Sequence, residues 1–155
     1  MTGSPLPPLA TGFTDAVGQA GLVHSGELRP VDLVLDAVTR IERLEPLLHA
    51  LVVADFDRAV DTARRLDPGL PFAGVPILVK DLCAEVEGLP FAEGSAYLRG
   101  YVSTHDQENI ARLRRAGFVI LGKTSTPEFG MAPTVEPRSG PGTATCSPAW
   151  VPSTC

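Results

Sequence analysis

Hydrophobic positions repeat with two different periods along this chain. In the first half the period is helical. Val34, Val38, Ile41, Leu44 and Leu48 recur at three- and four-residue steps, while Asp36, Arg40 and Arg43 fall on another side. The pattern predicts a helix from Pro30 to about Leu44, and Pro30 suits the first helical position. A shorter helix is expected from Thr14 to about His24, stopped near Gly26. HALVVAD (49–55) reads as a short strand. Phe56 to Leu66 reads as a further helix with Arg58, Arg64 and Arg65 outward, ended by Asp67-Pro68-Gly69.

The second half changes character. VPILV (75–79) is a continuous apolar strand, with Pro76 tolerable near its start. Residues 82–105 are irregular and hold Gly88, Pro90, Gly94, Ser95 and Gly100; a loop of this length is usually functional. DQENIARLRRAG (106–117) predicts a helix. Asp106 is expected to cap it, Arg112, Arg114 and Arg115 suit its negative end, and Gly117 supplies the left-handed stop. Ile110, Leu113 and Ala116 form its expected buried stripe, and FVILG (118–122) is a second buried strand. Strand, helix, strand implies a βαβ crossover, hence an α/β fold with a sheet that is parallel at least in part. The organisation expected is a flexible arm at 1–12, a folded region at 13–131, and an irregular, disordered tail at 132–155 carrying five prolines.

Composition narrows the class. The chain has 155 residues, 44% hydrophobic and 20% charged, which fits a globular domain with a real core. A net charge of −5 argues against nucleic-acid binding through a basic face. Cys83, Cys146 and Cys155 are too scattered for a disulfide framework, and His24, His49 and His105 share no ligand spacing with them, so no metal is expected. The start MTGSPLPPLATG lacks a secretory pattern and no apolar run approaches spanning length, so a cytoplasmic protein with no membrane association is expected.

GFVILGKT (117–124) matches the phosphate-loop pattern by letter. It fails on physics. A phosphate loop must bend so that its amides converge, but Phe118 to Leu121 make a strand. The lysine should open a helix, yet Pro127 restricts Thr126 to extended geometry. Nucleotide binding is therefore rejected, and no cofactor is expected.

Lys80 ends the apolar run of GVPILVKD (74–81), where a lysine is costly unless it has a task. A buried base, a phosphate contact and a structural ion pair are the three readings open to it. Lys123 reads as a strand-end charge, Glu128 as a local hydrogen-bond acceptor, and Ser95 as a turn residue beside Gly94.

GVPILVKD, the Gly94-Ser95 pair, the helix DQENIARLRRAG and FVILGKTSTPEFGM (118–131) occur in that order. Together they resemble the amidase signature family, and SGELRPVDLVLDAVTRIERLEPLLHALVV resembles its opening helical arm. The resemblance covers about residues 13–131. It implies an incomplete amidase-type α/β/α sandwich: a helical arm, then a partial mixed or parallel sheet with the βαβ crossover. It implies hydrolysis of carboxamide C–N bonds by a serine nucleophile, a second serine in a cis peptide and a lysine base. By position Lys80 is that base. It would have to be neutral to accept a proton, and burial beside Ile77 and Val79 would favour this. Asp81 would oppose it, so its side chain is expected to face the other way. The resemblance also makes Phe129, Gly130 and Met131 acyl-pocket candidates.

One departure is large. The family's serines and oxyanion amides lie on a glycine- and serine-rich stretch after the segment matching PEFGM. Ser147-Pro148-Ala149-Trp150 is loosely similar to the family's Asn-Pro-Trp that precedes it, but no Gly-Gly-Ser-Ser-Gly run occurs in these 155 residues, and Ser139 and Ser153 stand alone in proline-rich sequence. The expectation is an N-terminal fragment, inactive alone because losing even one oxyanion donor costs about a hundredfold or more. A truncated product, a frame-shifted reading after about Arg138 and a partial sequence are the expected origins. The parent's partner is a small-molecule amide. Alternatives are the catalytic subunit of an aminoacyl-tRNA amidotransferase with its partner subunits, a homo-oligomer, or a non-catalytic α/β interaction module.

Overall fold

A computed structural model describes residues 14–133 and 135. The expected arm at 1–12 lies outside the described residues. So do most of the expected tail and, with it, Ser139, Ser147, Ser153, Cys146 and Cys155.

Helix α1 (Ala16–His24) starts where the Asp15 carboxylate accepts the Gly18 amide at 2.8 Å. Helix α2 (Pro30–Leu48) opens with the Asp32 carboxylate, which accepts the Arg29 amide at 2.9 Å and pairs with the Arg29 guanidinium at 2.7 Å. It runs four residues beyond the predicted end and carries Pro46 in its last turn. The exit is fastened instead by Glu45, whose carboxylate accepts the Leu51 amide at 2.9 Å, and by His49 in the left-handed conformation. Strand β1 (Leu51–Ala54) and helix α3 (Phe56–Arg65) follow, then strand β2 (Pro76–Lys80), helix α4 (Glu108–Ala116) and strand β3 (Val119–Thr124).

The sheet order is β1-β3-β2. β2 and β3 are parallel, joined by the expected crossover through α4, and β1 is antiparallel to β3. The described fold is thus a mixed α/β sheet in three layers. On one face Val31, Val34 and Ala37 of α2 and Ala59 and Ala63 of α3 pack on Val119 and Leu121. On the other, Ile110 of α4 and Val86 and Leu89 of the long loop pack on Val79 and Ile120. Alternate residues of β3 feed opposite cores, as the period-two geometry of a strand requires.

Two predictions are corrected here. Asp106 does not cap α4. It accepts the Glu87 amide at 2.8 Å and pairs with Arg114 at 2.7 Å, so it satisfies a loop donor that has no strand partner. β3 does not stop at Gly122, because Lys123 and Thr124 continue its pairing on both sides. Leu44 and Leu48, the last members of the apolar repeat, are each 42% exposed. They border an open groove of about 420 Å³ with Ile77 and Leu78. The half-burial of Pro76 to Leu78 has the same cause: among the described residues β2 is an edge strand.

Candidate functional site

Two lysines stand at one end of this sheet, and a single extra residue decides their relation. Ile77 pairs with Ile120, but Leu78 pairs with Gly122, so β3 carries one more residue than β2 at this point. Such a bulge shifts everything beyond it by one position. Val79 then faces Lys123 and Lys80 faces Thr124. In an unbroken register Lys80 would have paired with Lys123, with two ammonium groups on one face. Gly122 permits the bulge by its bareness: an added Cβ would overlap the carbonyl oxygen of Val53 on β1.

Lys123 is therefore on the face of Val79, under the long loop, and is 0% exposed. Its Nζ lies 2.5 Å from Asp81 Oδ1, donates to the Pro90 carbonyl at 3.1 Å, and sits 4.5 Å from the centre of the Phe91 ring. Burial on this scale is tolerable only because the charge is paired and hydrogen-bonded. Asp81, 3% exposed, also accepts the Ala92 amide at 3.2 Å. Asp81 and Lys123 thus tie the loop at Pro90–Ala92 to the ends of β2 and β3.

Lys80 has the opposite environment. It is exposed at the last position of β2, and its amine has no hydrogen-bond or ion-pair partner among the described residues. The expected burial beside Ile77 and Val79 is not found: Lys80 is exposed at the end of a strand that is an edge among the described residues. The expectation for Asp81 holds: its side chain is turned to the opposite face.

The turn at 127–131 is clasped to the same end of the sheet. The Phe129 amide donates to the Glu93 carbonyl at 2.9 Å, and the Cys83 amide donates to the Glu93 carboxylate at 3.2 Å. Gly130 packs on Leu82, two residues beyond Lys80, so closely that an added Cβ would fall 2.8 Å from its side chain. Gly94 backs onto the Thr126 carbonyl with no room for a side chain. The turn that carries the sequence candidates is thereby held against the segment that follows Lys80. Phe129 is 45% exposed and Met131 86%. A cavity of about 130 Å³ lies instead beside Asp81, Pro90 and Ser95, and none of Lys80, Phe129, Gly130 and Met131 lines it.

Ser95 serves the turn as expected, accepting the Tyr97 amide at 3.2 Å at the start of the turn Ala96–Leu98. It also donates to Glu128 Oε1 at 2.7 Å. Glu128 is consequently a long-range acceptor, 33 residues away in sequence, rather than a local one. Lys123 is not a strand-end charge but the largest fully buried side chain of the described residues. The buried assembly of Asp81, Lys123, Pro90 and Phe91 escaped the sequence reading. Its signal was available: Lys123 follows an apolar run just as Lys80 does, so it carries the same cost and needs the same explanation.

The rejected phosphate loop is a strand, with Val119 to Lys123 buried and the lysine committed to Asp81. Among the described residues no group of three or more His, Cys, Asp or Glu could hold a metal, and no helix is long and apolar enough to cross a membrane.

Comparison with known proteins gives this geometry a context. The Amidase family model matches residues 32–152. The 6-aminohexanoate-cyclic-dimer hydrolase of Paenarthrobacter ureafaciens is 37% identical over 129 residues, 82% of this chain and 26% of that protein. A glutamyl-tRNA(Gln) amidotransferase subunit of Salinispora arenicola is 37% identical over 124 residues, 76% of this chain and 25% of that protein. A solved structure of 6-aminohexanoate cyclic dimer hydrolase superposes with a TM-score of 0.75 at 36% identity, over 81% of this chain and 26% of that one. The chain spans about a quarter of the length of these relatives. With matching family model, sequence relatives and fold, the chain belongs to the amidase family.

Proposed function

We propose that these residues are the base-bearing portion of an amidase that hydrolyses carboxamide C–N bonds, with Lys80 as general base. The observation that carries this is the contrast at the end of β2. Lys80 presents an amine without a partner among the described residues, while the neighbouring carboxylate is consumed by Lys123. A general base needs a lone pair, and a nearby free carboxylate would hold the proton on it.

The serine nucleophile and bridging serine of the family's mechanism have no glycine- and serine-rich counterpart in the 155 residues. Lys80 would take the nucleophile's proton through the bridging serine once a segment bearing both covers it. That cover would also remove water from the amine and favour its neutral form. Phe129, Gly130 and Met131, clasped beside Leu82, would form one wall of the acyl site. The partner is a small-molecule amide together with the segment that carries the serines.

A polypeptide of these 155 residues is expected to release no ammonia from a simple amide, even at high protein concentration. Release that Lys80→Ala abolishes would refute that. In a longer polypeptide that joins this segment to the serine-bearing one, Lys80→Ala should lower kcat by about a hundredfold or more, the scale of lost acid–base catalysis. An unchanged kcat would remove Lys80 from the mechanism. The equal identity to an amidotransferase subunit supports a second reading, in which the amide cleaved is glutamine and further subunits take up the ammonia. Glutamine and a cyclic amide, offered to the same longer polypeptide, discriminate the two.

A further inference from the structure

We infer that Lys123 is a positioning residue for Lys80: it neutralises and holds Asp81 so that the adjacent lysine is left without a local counter-charge. This rests on the reading of Lys80 as the base. Asp81 and Lys123 are both buried. They act through the electrostatic environment of the Lys80 amine.

Consecutive Cα atoms are about 3.8 Å apart, so a free Asp81 carboxylate would be among the nearest anions to Lys80. An anion at such range favours the protonated amine. The structure removes this influence twice over. First, strand alternation and the bulge put Asp81 and Lys123 together on the loop face, away from Lys80. Second, the two charges cancel. Lys123 Nζ lies 2.5 Å from Asp81 Oδ1 in a site where neither side chain is more than 5% exposed. Seen from Lys80 the pair is a compact dipole rather than a charge.

The other carboxylates near this end of the sheet keep their charge and their neutral hydrogen-bond donors in every variant of the test below. Glu93 accepts the Cys83 amide, Glu128 accepts the Ser95 hydroxyl, and Glu45 accepts the Leu51 amide. Arg40, on the α2 face, pairs with Asp36 at 2.8 Å. Thr124, the strand partner of Lys80, carries no charge. Asp81 is thus the carboxylate whose effect on Lys80 depends on a single residue, and Lys123 is that residue.

The test is a sign test on the titration of Lys80 in the full chain. Lysines are labelled competitively with acetic anhydride across pH, and the Lys80 peptide is quantified by mass spectrometry. Lys123→Met leaves an uncompensated anion, so the Lys80 curve should move to higher pH by about one unit, about a tenfold loss of reactive amine at fixed pH. Asp81→Asn leaves an uncompensated cation, so the curve should move the other way. The double variant Lys123→Met/Asp81→Asn should return to the wild-type curve. A merely structural role would move both single variants in the same direction, and that result overturns the inference. So does an unmoved curve in both, or a double variant that keeps a displacement.

Should a single variant not fold, the decision falls to the double variant and the wild type. The double must titrate at Lys80 as the wild type does, and wild-type Lys123 must stay unlabelled while Lys80 reacts. Ready labelling of Lys123 overturns the inference. Because the readout is the amine and not turnover, loss of the amidase reading through failed catalysis leaves this result distinguishable.

Discussion

Lys80 and Lys123 lie on neighbouring strands, each after an apolar run, and the fold treats them in opposite ways. β3 is the central strand and is buried from Val119 through Lys123; β2 is an edge among the described residues and leaves Lys80 exposed. The bulge at Gly122 separates the two ammonium groups and sends one to Asp81. Position in the sheet, rather than local sequence, decides whether a lysine is an internal strut or an available amine.

The strongest way to break this comparison is to attack the buried partner. Lys123→Met should destabilise the chain by about 3–5 kcal/mol, the cost of leaving Asp81 buried and unpaired. Urea denaturation followed by circular dichroism measures it, and a loss below about 1 kcal/mol would mean that the site hydrates easily. Next comes the bulge. Gly122→Ala forces a methyl against the Val53 carbonyl and should cost about 1–3 kcal/mol, with β1 amides exchanging faster while α4 keeps its protection. Ser95→Ala removes a hydrogen bond to Glu128 from a side chain that is 5% exposed, for about 1 kcal/mol in the same denaturation assay.

Acid probes a region away from the lysines. Asp32 has its carboxyl held below the usual value of 3.8, chiefly by the hydrogen bond from the Arg29 side chain. A folded-state value below the unfolded one stabilises the chain above the unfolded value, and that stability is lost as pH falls through the folded one. Asp32→Asn should therefore flatten the stability profile below about pH 4 and leave the Lys80 end of the sheet unchanged. The smallest effect belongs to Lys80 itself: Lys80→Ala should alter stability by less than about 0.5 kcal/mol, as for other exposed side chains. A loss comparable with that of Lys123→Met would erase the distinction between the two lysines.

Much of this was readable from the residues. Helices α1, α3 and α4, the parallel β2–β3 pair and the left-handed Gly117 all follow from period, caps and breakers, which are local properties. The errors share a cause. Asp106, Glu128 and Lys123 each have more than one plausible partner, and the partner chosen lies across the fold: Glu87, Ser95 and Asp81, respectively. Leu44 and Leu48 continue the helical periodicity but are each 42% exposed, because periodicity says only that a face is apolar, not that something covers it.

The sequence by itself determined the element order, the α/β class, the place of Lys80 at the end of a strand and the failure of GFVILGKT as a phosphate loop. These depend on backbone preferences and hydrophobic spacing within a few residues. Only the tertiary structure decided that Lys123 would be the partner of Asp81. That outcome hangs on one extra residue in β3, a register choice set by the close passage of β1 over Gly122, and no local pattern encodes how two distant strands will align.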